Sequence, residues 1–137
     1  MITELIILGS TGSIGETTLN IVKKNKKRFK VRLISTNRNI KKIYKQALEF
    51  NVKKVVINDM SEYSNYINQF KKKRIRVFNT FEDALKGDKK KNYFSISAIS
   101  GLDGLEPTLQ IIKYSKYLGI ANKESIICGW NFIKKEL

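Results

Sequence analysis

Three glycines at three-residue spacing, Gly9-Ser10-Thr11-Gly12-Ser13-Ile14-Gly15, follow directly on the apolar run Leu5 to Leu8. They precede a segment in which Thr18, Leu19, Ile21 and Val22 carry a helical apolar period. Glycines at such a junction permit a tight turn and let backbone N–H groups approach an anion closely. A helix starting near Ser13 adds the positive end of its dipole at the same point. The chemistry implied is phosphate binding, with a pyrophosphate the natural ligand. The spacing is G-x-x-G-x-x-G rather than the commoner G-x-G-x-x-G, and an incidental strand-to-helix turn would rarely combine three glycines, two small hydroxyl residues and both flanking patterns.

A second position decides which dinucleotide such a loop would hold. Proteins that bind NAD place an Asp or Glu about 20 residues beyond the loop, where it takes the ribose hydroxyls. No acid stands there; the sequence reads Thr36-Asn37-Arg38-Asn39. A guanidinium flanked by two amides suits a 2′-phosphate, which it can grip bidentately, so NADP is favoured over NAD. The plainer alternative is that Arg38 is a surface charge at a helix start.

These residues need a scaffold, and the patterning supplies one. Strands are expected at Leu5 to Gly9, Lys30 to Ser35, Lys54 to Asn58, Arg74 to Asn79, Tyr93 to Ser97 and Tyr117 to Ala121. Helices are expected at Ile14 to Asn25, Ile40 to Phe50, Ser61 to Lys72, Thr80 to Leu85, Leu105 to Tyr114, and from Glu124 to the carboxyl end. Pro107 fits the first turn of the fifth helix, where its missing N–H costs nothing. Lys86 to Lys91 reads as a polar surface loop. Strict alternation of strand and helix predicts an α/β fold of Rossmann type, a doubly wound and mainly parallel sheet with helices on both faces. Its ligand should lie at the carboxyl ends of the strands. Residues 1–137 are expected to form a single NADP-binding domain, a size and an apolar content of 42% that suffice for one core.

Composition removes several function classes. There is no histidine, so the commonest general base and metal ligand is absent, and Cys128 alone excludes an intrachain disulfide or a thiolate metal cluster. No apolar run approaches the roughly 18 to 20 residues of a membrane span. Met1 lies too close to the first strand for a transit peptide, and the expectation is a soluble, cytoplasmic protein without membrane partners. The formal charge of +15 raises the question of nucleic acid. Residues 21–45 hold eleven Lys or Arg and no acid, but they spread over a helix end, a strand and the next helix. Lys outnumbers Arg 22 to 5, and no aromatic residue interleaves with the clusters at 71–76 and 86–91. A lysine-rich solvated surface explains this better than a recognition face, and no nucleic-acid partner is expected.

Two strings in the last third carry a resemblance. The first runs Ala98-Ile99-Ser100-Gly101-Leu102-Asp103-Gly104-Leu105-Glu106-Pro107-Thr108-Leu109. The second is Leu118-Gly119-Ile120-Ala121-Asn122-Lys123-Glu124-Ser125, followed by Gly129. With GSTGSIGETTL at the start, the chain resembles the amino-terminal domain of 1-deoxy-D-xylulose 5-phosphate reductoisomerases along its whole length, residues 41 to 92 matching only in pattern. The resemblance implies an enzyme that isomerises 1-deoxy-D-xylulose 5-phosphate and reduces the product with NADPH to 2-C-methyl-D-erythritol 4-phosphate, on the non-mevalonate route to isoprenoids. It implies a divalent cation, Mg or Mn, and a homodimer for the full-length enzyme.

Carried over residue by residue, Thr11, Gly12, Ser13 and Ile14 would contact the cofactor phosphates, and Asn37, Arg38 and Asn39 its adenosine end. The family often has Gly-Lys-Asn where Asn37-Arg38-Asn39 stands here. Asn122 and Glu124 would hold the nicotinamide side, and Lys123 would reach the phosphorylated substrate. Asn122 as a helix N-cap and Glu124 in a first helical turn also have purely structural explanations. Lys123 opposes the helix dipole, which an anionic substrate would offset. In that family the acidic metal ligands lie a short distance beyond the last helix here, in an Asp-Ser-Glu type segment. No catalytic or metal-binding residue is therefore expected among these residues, and the chain alone is expected to bind NADPH without turning substrate over.

Competing readings are weaker. A short-chain dehydrogenase needs a Tyr with a Lys four residues on, and none of the six tyrosines has one. A dihydrodipicolinate reductase shares the glycine spacing but would be expected to show a histidine pair. Another NADP-dependent Rossmann reductase, a degenerate NAD(P)-binding fragment and a non-catalytic basic nucleic-acid-binding module complete the alternatives.

Overall fold

A computed structural model describes residues 1–137. Its elements alternate as β1 (Thr3–Leu8), α1 (Ser13–Lys24), β2 (Phe29–Thr36), α2 (Ile40–Glu49), β3 (Lys54–Ile57), α3 (Ile67–Lys72), β4 (Arg76–Phe78), α4 (Phe81–Leu85), β5 (Tyr93–Ser97), α5 (Leu105–Ile112), β6 (Ser115–Ile120) and α6 (Lys123–Glu136). All six strands run parallel in the order β4-β3-β2-β1-β5-β6. Strand order reverses at β1: the chain steps one way from β1 to β4, then returns to β5 on the other side. Because parallel crossovers are right-handed, helices on the two sides of that reversal cover opposite faces.

The core divides accordingly. On one face Leu19 and Val22 of α1, Ile40, Ile43 and Ala47 of α2 and Phe70 of α3 pack on Leu5, Ile7, Val31, Ile34, Val55 and Ile57. On the other, Phe81, Ala84 and Leu85 of α4 and Ile111 of α5 pack on Ile6, Leu8, Leu33 and Val56. Val31 and Ile34 share a face although they stand three positions apart, which regular strand alternation forbids. The pairing of β1 with β2 jumps from Leu5↔Val31 to Ile6↔Leu33. This bulge at Arg32 resets the side-chain alternation so that Leu33 joins Ile6.

Two expected elements are shorter than their patterning suggests. The helix expected at Ser61 to Lys72 is a single 3-10 turn at Tyr63–Asn65, broken at Tyr66 before α3 begins. Ser64 and Asn65 are weak helix formers, and Tyr63 turns in to lie 5.9 Å from the Phe70 ring, so packing breaks the helix that periodicity would have continued. The fourth strand contracts from Arg74 to Asn79 to Arg76–Phe78. Arg74 has φ +56, and Asn79 turns its amide onto the carbonyls of Ile57 and Asn58 at 3.2 and 2.9 Å, closing the strand at both ends.

Candidate functional site

The loop between β1 and α1 is built by its glycines in three different ways. Gly9 has φ +76, and a Cβ there would press on Ile99 and the Ala98 carbonyl carbon at 3.0–3.1 Å. Gly15 lets α1 sit against the loop, since a Cβ would overlap the Gly9 carbonyl oxygen and the Ser10 backbone. Gly12 is required by neither constraint: its nearest neighbour would be the Gly9 carbonyl oxygen at 3.6 Å. What its missing side chain leaves is open space above the helix start. Gly12 is also the N-cap of α1 and supplies no side-chain acceptor. The amides of Ser13, Ile14 and Gly15 find no acceptor in the chain, the first bond of the helix being Glu16 N–H to the Gly12 carbonyl. Three unpaired donors stand at a positive dipole end with no side chain over them, an arrangement with the chemistry to receive an anion.

A cleft of about 710 Å³ opens beside this loop. Its walls come from the carboxyl ends of five strands: Gly9 after β1, Thr36 and Asn37 after β2, Asn58 after β3, Asn79 after β4, and Ala98 to Ser100 after β5. Thr11, Gly12 and Asn37 line it directly. Arg38 and Asn39 follow Asn37 in the turn from β2 to α2 and are not among the residues that line the cleft. Asn39 caps α2, accepting from Lys42 N–H at 3.3 Å. Arg38 is exposed and makes no ion pair. The Ser61 hydroxyl and amide hold the nearby Asp59 carboxyl below the usual carboxylate range, and the Arg38 guanidinium adds to the effect.

The other predicted residues lie at the start of α6. Asn122 is buried, and its side chain is fully committed within the chain. Its Oδ1 accepts from Glu124 N–H at 2.9 Å and Ser125 N–H at 3.3 Å, while its Nδ2 donates to the carbonyl of Ile99 at 2.6 Å and to that of Gly101. Asn122 thus ties α6 to the loop after β5 that walls the cleft. Lys123 and Glu124 are exposed in the first turn, and their side chains bond to nothing in the chain. They do not line the cleft.

Sequence reasoning missed the residues that hold the loop from behind. Ser35 Oγ accepts from Gly9 N–H at 2.8 Å, and Thr11 and Thr36 hydroxyls meet at 2.8 Å. From α2, Gln46 bonds reciprocally to Ser10, and Lys42 donates to the Thr11 carbonyl at 2.8 Å. One signal was legible: Gln46 occupies the helical stripe of Ile40, Ile43 and Ala47, and a polar residue in a buried stripe needs a partner.

The family description 1-deoxy-D-xylulose 5-phosphate reductoisomerase matches residues 5–129. The chain belongs to this family. The reductoisomerase of Pelagibacter ubique is 48% identical over 136 residues, covering 98% of this chain and 35% of the relative. Among solved structures, the reductoisomerase from Zymomonas mobilis in complex with NADPH superposes with a TM-score of 0.85 at 30% identity, over 99% of this chain and 36% of that one. A family structure in complex with NADPH, fosmidomycin and magnesium gives 0.84 at 25% identity, over 98% and 34%. The chain therefore spans about a third of the length of the reductoisomerases it matches. Within it, no three His, Cys, Asp or Glu side chains converge on a point where a metal could sit, and no helix is long and apolar enough to cross a membrane.

Proposed function

We propose that residues 1–137 are one NADPH-binding domain, the cofactor-binding portion of an oxidoreductase that isomerises and reduces 1-deoxy-D-xylulose 5-phosphate to 2-C-methyl-D-erythritol 4-phosphate. The observation that carries this reading is the start of α1, where Ser13, Ile14 and Gly15 present unpaired amides beneath the open space left by Gly12. Those donors fit a pyrophosphate, with Thr11 beside them on the cleft wall. Arg38, exposed and in no ion pair, would take the 2′-phosphate between Asn37 and Asn39. Bound NADPH would supply the hydride. Glu124 and Lys123 have unengaged side chains for the nicotinamide side and the phosphorylated substrate. Asn122 serves by fixing the loop they adjoin, since its amide has no bond left to offer.

The family's divalent cation finds no donor set among these residues, and no step of the reaction is assigned to them. Isomerisation, a homodimeric assembly and a cytoplasmic setting are proposals for the whole enzyme. The chain alone is expected to bind NADPH, to release it to 2′,5′-ADP but not to AMP, and to leave it unoxidised when magnesium and substrate are added. Steep salt-dependent binding of DNA with no NADPH affinity would overturn the assignment. Magnesium-dependent oxidation of NADPH would overturn the division of labour.

A further inference from the structure

We propose that α2 mechanically joins the two phosphate-recognising ends of the site, with Lys42 and Gln46 as its positioning residues; the inference rests on the NADPH reading above. The helix begins at Ile40, immediately after Arg38 and Asn39, so its first turn is anchored where a 2′-phosphate would be gripped. Within that first turn, the Lys42 ammonium reaches the Thr11 carbonyl at 2.8 Å and pairs with Glu16. One turn further, Gln46 Nε2 donates to the Ser10 carbonyl at 3.0 Å while the Ser10 hydroxyl donates back to Gln46 Oε1 at 2.8 Å. The spacing of four residues stacks these side chains on one side of the helix.

The contacts fall on the carbonyls an anion site must hide. A loop that presents amides to a phosphate has to keep its own oxygens engaged elsewhere, and here two successive ones, Ser10 and Thr11, are taken by donors from α2. The Gln46 pair is buried, with Ser10 wholly inaccessible, so water cannot substitute for it. Lys42 has a second effect. Glu16 lies in the first turn of α1, where its charge would repel the pyrophosphate, and the ammonium offsets it. Arg38 at one end of α2 and the glycine loop at its side thus share one rigid element, and ordering either by a phosphate favours the other.

The experiment is a double-mutant cycle on NADPH affinity in the 137-residue chain, with Arg38→Ala, Lys42→Ala and the double variant. Lys42→Arg serves as the conservative rescue, and thermal unfolding of every variant is measured in parallel. The expected result is weaker NADPH binding for Lys42→Ala by about threefold or more, recovery with Lys42→Arg, and a double variant whose loss differs from the summed single losses by a comparable factor. Ser10→Ala, which removes one of the two Gln46 bonds, should weaken NADPH binding and lower the melting temperature together, whereas Lys42→Ala should act mainly on affinity. Strictly additive losses, or a Lys42→Ala that melts earlier yet binds NADPH unchanged, overturn the coupling while leaving the cofactor assignment intact. Failure of the unsubstituted chain to bind NADPH removes both.

Discussion

Gly12 and Gly15 stand three residues apart in one loop and do opposite things, which makes them a clean test of what the loop is for. Gly15→Ala drives a methyl into backbone atoms of Gly9 and Ser10, so α1 must move. A loss of about 1–3 kcal/mol is expected on denaturant unfolding. Gly12→Ala meets nothing close and should keep stability within about 1 kcal/mol, while obstructing the anion terminus and weakening NADPH. Equal stability losses in the two variants would argue that both glycines serve folding alone. Arg38 is exposed and in no ion pair, so Arg38→Ala should leave the melting temperature nearly unchanged. Its NADPH affinity should drop about 10- to 100-fold with NADH binding unaffected, roughly the value of one charge-assisted hydrogen bond at an exposed site. A parallel loss of NADH would place Arg38 elsewhere on the cofactor. Tyr93 supplies a pH test. Burial, then the hydrogen bond to Asp88 at 2.5 Å, pushes its phenol well above the ordinary value of 10.0. Its contribution is therefore intact below about pH 10 and lost as pH rises further, because the unfolded phenol ionises first. Tyr93→Phe should flatten the alkaline decline in stability; an unchanged slope would point to other groups.

At the level of elements, the joint between α6 and the loop after β5 depends on one side chain. Asn122→Ala removes the cap of α6 and leaves the half-buried carbonyls of Ile99 and Gly101 without these donors, costing about 1–3 kcal/mol. Asn122→Asp keeps the cap but sets a carboxylate against two carbonyls, so it should be rescued by lowering pH; rescue by raising pH would contradict the bonding described. This joint also shows the limits of reading sequence. That Asn122 would cap a helix followed from its type and position, whereas its two bonds to a loop 21 and 23 residues earlier in sequence depend on the fold. The same division holds for α2: Asn39 was legible as part of the site, but the grip of Lys42 and Gln46 on the glycine loop spans 31 and 36 residues and exists only once β1 and β2 are paired. Local patterns located each strand and helix, and failed where tertiary contacts overrode propensity, as at Tyr66 and at the bulge beside Arg32.

At the scale of the whole chain, the two edges of the sheet differ in kind. One end of the sheet is the three-residue β4 beside Lys71, Lys72, Lys73, Arg74 and Arg76, a short and charged edge that discourages pairing with another chain. The other end, β6, exposes Tyr117, and α6 next to it exposes Ile127, Trp130 and Phe132. With a net charge of +15, repulsion should keep copies apart at low ionic strength. Raising salt shortens the Debye length to roughly 3 Å at 1 M and should let the β6–α6 side self-associate, visible as a growing scattering radius. A radius that stays constant in salt would show that this side is not adhesive. The sheet order also imposes a timetable. Leu5 of β1 pairs with Phe94 of β5, so the central strand waits for nearly ninety further residues before its second edge is covered. A chain emerging from the ribosome presents Leu5 to Leu8 half-paired through that interval, a period in which a holdase has something to hold. The cleft, walled by the ends of β1 and β5, cannot exist before β5 is in place, so a product interrupted ahead of Tyr93 would bury most of one core layer and still have nowhere to put a nucleotide.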